Sequence, residues 1–179
     1  MPYEPLPELA TLTLAQIAAL NAQRKLPPVA QWNPKVNGDS RMVIKADGRW
    51  FHDGGEIRRP AMIRAFAGLL RRENDGRYFL VTPAEKQLIE VEDAAFIATD
   101  VAAQDGALTF KLNTDEVIVA GPDHSLVARG TAELPAIYLF VRNGCEARIN
   151  RSTWLQLVEL ADTDLTVTSQ GSRFSLVPA

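Results

Sequence analysis

"DGGEIRRPAMIRAF", residues 53–66, is echoed ninety residues later by "NGCEARINRSTWLQL", residues 143–157. In both stretches an Asp-Gly or Asn-Gly pair stands between short apolar runs, and such pairs accept the positive φ that a two-residue hairpin turn demands. A Glu and an Arg-bearing extended piece follow, then a segment with apolar residues at helical spacing. Pro60 suits a first helical turn, where its missing amide costs nothing. Glu56 and Glu146 keep the offset of 90, whereas "GRYFLV" from Gly76 and "GSRFSLV" from Gly171 lie 95 to 96 apart, so five or six residues were gained between. Self-similarity of this kind predicts a duplicated hairpin-helix-hairpin core.

Working outward, the fold class expected is α+β in two tandem units. Residues 1–87 hold a leader helix, a meander, one helix and a hairpin; residues 88–179 form a β-rich unit with one helix. Leu14, Ile17, Ala18 and Leu20 give the leader its helical spacing, and Pro27-Pro28 stop it. "WNPKVNGDS" reads as a loop, and "MVIKA", "RWFH" and "EI" as strands parted by Asp-Gly turns. From Pro60 the residues Met62, Ile63, Phe66, Leu69 and Leu70 mark one helical face, with the stop near "ENDG". Thr82-Pro83-Ala84-Glu85 has capping-box spacing. "LIEVE", "FIATDV", "ALTFKL", "EVIVA" and "SLVAR" then predict a long β-meander.

Of 179 residues, 46% are apolar and 23% charged, which is enough to bury a core and excludes a disordered chain. No apolar run approaches the roughly eighteen residues of a membrane helix, and the start "MPYEPLPELA" has no basic leader, so a cytoplasmic protein without membrane partners is expected. The net charge of −3 argues against a nucleic-acid partner. One cysteine and two histidines cannot assemble the usual zinc sets, and no motif calls for a cofactor. Cys145, in an expected turn, is a candidate exposed thiol, although nothing beside it lowers its pKa. His52 and Asp53, as strand neighbours, are expected to point apart. Glu90 and Glu92 read as the wet face of a strand or, with Asp93, as a hard-metal site.

Charge is uneven along the chain. Between Arg58 and Arg77 six arginines stand against Glu73 and Asp75, whereas between Glu85 and Glu133 ten acids stand against three bases. Arginine binds phosphates and carboxylates through a planar fork of donors. The candidate binding residues are therefore Arg58, Arg71, Arg72 and Lys86 for anionic oxygens, with Trp50 or Tyr78 for stacking, in a cleft between the units. The competing readings are an ion-pair seam for the arginines and core packing for Trp50. Catalytic motifs are absent: there is no GxSxG, no GxxxxGK[ST] and no GxGxxG. A non-enzymatic module that binds a small anionic ligand is the leading function; a hydrolase or transferase acting on a phosphorylated molecule and a protein-protein adaptor stand beside it.

"WNP", "GDSRMVI", "DGRWF", "EIRRP", "LLRRENDGRYFLVTPAEK" and "VEDAAF", with "VRNGCEARINR" further on, resemble the bacterial family known as domain of unknown function 1285. The resemblance implies a duplicated core, a C-terminal part superficially like a pleckstrin-homology fold, and a ligand site between the halves. It further implies a nucleotide-type ligand and a role in signal transduction linked to oxidative stress, with a protein partner that is not identified. Ser40 and Arg41 depart from the family pattern, in which Ile and Asp are common there.

Overall fold

The computed structural model describes Thr13, Ala15, Gln16 and residues 26–179. The expected leader helix lies outside the described residues, apart from Ala15 and Gln16, which are helical. After a 3-10 turn at Val29–Gln31, the first unit runs β1 (Val36–Ile44), β2 (Trp50–His52), β3 (Gly55–Ile57), α1 (Pro60–Ala67), β4 (Leu70–Arg72), β5 (Tyr78–Val81) and β6 (Glu85–Val91). The second runs β7 (Phe96–Gln104), β8 (Ala107–Leu112), β9 (Val117–Val119), β10 (Leu126–Gly130), β11 (Pro135–Arg142), β12 (Cys145–Ile149), α2 (Arg151–Leu160), β13 (Thr166–Ser169) and β14 (Ser172–Ser175). The described residues thus form two tandem units, mostly β, with the helices α1 and α2.

Each unit builds one six-stranded sheet, in the orders β3-β2-β1-β6-β5-β4 and β10-β11-β12-β7-β8-β9, and β13 and β14 pair separately. In both sheets two antiparallel three-stranded meanders are joined side by side through the first and last strands, which run parallel: β1 with β6 and β7 with β12. This repeat is out of phase with the one in the sequence. The Asp53-Gly54 hairpin lies in the first meander and leads into α1 from an edge strand; the Asn143-Gly144 hairpin ends the second meander and leads into α2 from a central strand. The turns themselves are alike, with φ of 47° and 82° against 52° and 77°. The two hairpins therefore occupy different places in their sheets.

Three boundaries shift from expectation. The first helix ends at Ala67 with Gly68 as cap instead of running to "ENDG", because Leu70 is drawn into the core as the start of β4, which pairs back on β5. "WNPKVNGDS" is loop only at its start, since β1 begins at Val36 and carries an irregularity between Asp39 and Met42. Thr82 and Glu85 close the β5–β6 turn rather than a helix: the Glu85 amide donates to Thr82 Oγ1 at 3.2 Å and the Thr82 amide to the Glu85 carbonyl at 2.9 Å. A unit boundary after Gln87 would cut β6, whose pairing with β1 and β5 keeps it in the first sheet.

Strand alternation explains the core. On β5, Tyr78 and Leu80 face the main cluster while Phe79 and Val81 face a smaller one with Val29 and, half-buried, Trp32, so all four are buried. The main cluster is continuous across both units, taking Ile44, Trp50 and Leu70 from the first and Phe96, Phe110, Leu139 and Leu157 from the second. Burial of α2 follows from Leu157 and from the Asn150 side chain, which accepts the Thr153 amide at the helix start. Among the described residues no helix is long and apolar enough to cross a membrane.

Candidate functional site at the junction of the two units

The Asn143-Gly144 turn presses on β4. The Arg72 amide donates to the Asn143 carbonyl at 2.9 Å, and a Cβ on Gly144 would stand 2.7 Å from the Arg72 carbonyl oxygen. Only glycine fits there, on grounds of both contact and φ. This contact sets the Arg72 side chain over the second sheet, where Nη1 lies 3.5 Å from Glu146 Oε1. Arg129 of β10 forks onto the same carboxylate, with Nη2 3.0 Å from Oε1 and Nη1 3.0 Å from Oε2.

Each of these guanidiniums rests on an aromatic face: Arg72 lies 5.5 Å from the Tyr78 ring centre, and Arg129 4.6 Å from that of Tyr138. The Tyr138 hydroxyl donates to Asp93 Oδ1 at 2.6 Å, and Arg148 Nη1 donates to Asp93 Oδ2 at 3.0 Å and to the Tyr138 hydroxyl oxygen at 3.2 Å. Asp93 stands just after β6, so the segment linking the sheets is itself tied into the array. A cavity of about 290 Å³ is bounded by Arg72, Tyr78, Asp93, Arg129, Tyr138 and Glu146. Its hydrogen bond to Glu146 raises the Arg129 pKa, burial raises that of Tyr78, and burial followed by the Asp93 bond raises that of Tyr138. Both tyrosines therefore stay neutral and Arg129 stays charged at physiological pH.

The six residues singled out in the sequence fall in four places. Arg72 and Tyr78 meet in the junction cavity. Arg71 and Lys86 meet elsewhere, both on Glu73, at 3.1 and 3.0 Å, and Arg71 also donates to the carbonyls of Val29 and Trp32. Arg58 is exposed beside β3 and pairs with Glu56 at 3.0 Å. Trp50 is 1% exposed and stacks on Phe66 at 6.4 Å, so it is core and no stacking platform. Tyr78 is 9% exposed, and its ring carries the Arg72 guanidinium at 5.5 Å. The arginine cluster is divided by strand geometry: Arg71 and Arg72 are neighbours on β4 and point to opposite faces.

Other expectations are corrected as well. Cys145 is fully buried on β12, and burial pushes its thiol up to about 12, which makes it inert as a redox sensor. His52 and Asp53 do approach, with Nε2 3.5 Å from Oδ2, because Asp53 has the positive φ of a turn and strand alternation has ended. Glu92 accepts from the Ala46 amide at 2.8 Å and pairs with Lys45, and among the described residues no metal-holding cluster of His, Cys, Asp and Glu exists.

Sequence reading did not place Arg129, Tyr138, Glu146 or Arg148 in a site, and it grouped Asp93 with Glu90 and Glu92 instead. A signal was present for some of them. Glu146 and Arg148 alternate after a hairpin turn and so share a face, and Tyr138 stands directly across from Arg148 in the β11–β12 register. Arg129 is one of only three bases in the acidic stretch.

These observations define a two-unit α+β protein whose sheets share one core and whose arginines and acids interlock where the units meet. The chain belongs to the DUF1285 family: residues 27–94 match the model described as "Domain of unknown function (DUF1285), N-terminal domain", and residues 95–176 the one described as "Protein of unknown function (DUF1285), C-terminal domain". The division at 94/95 agrees with the change of sheet after β6. A crystal structure of a DUF1285 family protein from Silicibacter pomeroyi DSS-3 superposes with a TM-score of 0.78 at 38% identity, covering 91% of this chain and 95% of that one. A second, from Shewanella baltica OS155, gives a TM-score of 0.54 at 25% identity and covers 66% of this chain and 90% of that one. No curated protein matches the chain.

Proposed function

We propose that the protein is a non-enzymatic sensor that binds a small phosphate-bearing ligand, of nucleotide type through its phosphate end, in the junction cavity. One observation carries this reading: Arg72 of the first unit and Arg129 of the second converge on a single carboxylate, Glu146, at the seam between the units. Two forked guanidiniums held around one anion present the geometry that a phosphate uses. Arg72 is the looser of the two, with its longer ion pair and a side chain 39% exposed, so it is the group that turns to an incoming anion while Arg129 keeps Glu146.

A ligand bridging Arg72 to the second unit alters the coupling of the units in proportion to its differential affinity for their arrangements. On this reading the protein works in cytoplasmic signal transduction and passes the ligand's presence to a protein partner. The second sheet, followed by α2 after its last strand, supports a pleckstrin-homology-like description of the C-terminal unit. The buried Cys145 leaves any link to oxidative stress dependent on the ligand rather than on a thiol.

The test is thermal unfolding with inorganic phosphate and with AMP, since a ligand that binds only the native state stabilises it by about 2.7 kcal/mol at a hundred times its Kd. A rise in Tm that is lost in both Arg72→Ala and Arg129→Ala is expected. No rise with either ligand, or a rise that survives both substitutions, removes the junction cavity as the site.

A further inference from the structure

A second hollow, of about 530 Å³, shares Asp93 with the junction cavity and is also built from both units. The first unit supplies Ala46 and Asp47 from the β1–β2 turn, whose position is fixed by close packing: a Cβ on Gly48 would stand 2.7 Å from Ile97 Cγ1. Ile97 and Ile149, both nearly buried, give the hollow an apolar floor.

Three polar groups around that floor, Asn113, Asn150 and Arg151, carry donors without acceptors. Asn113 spends its Oδ1 on the Ile97 amide at 3.0 Å, and Asn150 spends its Oδ1 on the Thr153 amide at 2.9 Å and the Ser152 hydroxyl at 3.2 Å. These backbone donors fix which way each side-chain amide points, so both NH₂ groups are left over. Arg151 is exposed and has no ion-pair partner among the described residues. The acids on the wall are already engaged: Asp47 accepts from the Arg49 amide and from Nε, at 3.0 and 2.8 Å, and Asp93 is held by Arg148 and Tyr138.

We infer that this hollow binds an aliphatic monocarboxylate, with its carboxylate on the Asn113, Asn150 and Arg151 donors and its apolar body on Ile97 and Ile149. A single unpaired cation with two neutral amides matches one negative charge shared over two oxygens. A phosphate dianion is disfavoured because the Asp47 and Asp93 carboxyls line the same hollow, and the hydrogen bonds from Arg49 hold the Asp47 carboxyl below its usual range. This site shares Asp93 with the junction cavity but neither of its cations, Arg72 and Arg129.

The experiment titrates 4-methylpentanoate into the full-length protein and follows the side-chain NH₂ resonances of Asn113 and Asn150 by ¹H–¹⁵N NMR. Saturable shifts of both are expected. Binding should weaken about tenfold or more in Arg151→Ala, the scale for losing a charged hydrogen bond, and by a similar factor when neutral 4-methylpentanamide replaces the acid. It should be unchanged in Arg72→Ala, and the spectrum of each variant reports its fold directly. Absence of saturable shifts in the wild type, equal affinity in Arg151→Ala, or equal affinity for the neutral amide overturns the assignment.

Discussion

Replacing Gly144 by alanine tests how the two units are fitted together. Gly144 has φ of 77°, and an alanine there costs about 1–2 kcal/mol for the left-handed backbone alone. Its Cβ would also stand 2.7 Å from the Arg72 carbonyl oxygen and 3.1 Å from Arg72 Cβ, and relieving such overpacking costs typically about 1–3 kcal/mol. The sum is about 2–5 kcal/mol. Gly54 supplies the control, for it closes the sister hairpin with φ of 82° and has nothing within 4 Å of a Cβ, so Gly54→Ala bears the backbone cost only. Urea unfolding of both variants at unchanged m-value should place Gly144→Ala below Gly54→Ala by about 1–3 kcal/mol. Equal losses would mean that the Asn143-Gly144 turn does not bear on β4 in solution, and the construction of the junction around Arg72 would fail with it.

Further outcomes follow from the buried groups. Arg142→Met should destabilise by about 3–5 kcal/mol, because it removes the cationic half of a buried ion pair with Glu116, 5% exposed; chemical denaturation measures it. Trp50→Ala should cost about 3–5 kcal/mol by the same assay, and a near-neutral result would return Trp50 to the list of ligand-stacking candidates. Cys145 should resist a thiol-specific disulfide reagent in the native protein and react fully in denaturant. Lys86 first, then Arg71, lowers the Glu73 pKa. Because the folded value is depressed, Glu73 contributes stability above its unfolded pKa that is lost as pH falls through the folded one. Glu73→Gln should therefore flatten the acid limb of stability against pH, as seen in urea melts at stepped pH.

What the sequence made legible was local. Asp53-Gly54, Asp105-Gly106, Asn143-Gly144 and Gln170-Gly171 all close hairpins, with the first residue of each at positive φ. The apolar spacing of α2 was readable for the same reason: neighbours along the chain determine it. The parallel pairings of β1 with β6 and β7 with β12 were not readable, because they join strands about forty residues or more apart and no turn residue announces them. Leu69 and Leu70 extend a helical pattern as well as they begin a strand, and tertiary burial of Leu70 decided between the two. At the site, Arg72 was legible as a member of a charged cluster. Its partners were not, since Arg129, Tyr138 and Glu146 are brought together by the register of three strands in the other unit.

The most direct test of the proposed sensor is a calorimetric titration of AMP into the wild type, Arg72→Ala and Arg72→Lys. Arg72 is partly exposed and Glu146 keeps Arg129 as partner in its absence, so both variants should fold. Binding to the wild type is expected, with a loss of about 1.5–3 kcal/mol in Arg72→Ala and partial recovery in Arg72→Lys, whose point charge lacks the fork. Equal affinities in all three proteins, or no binding to the wild type, would contradict it.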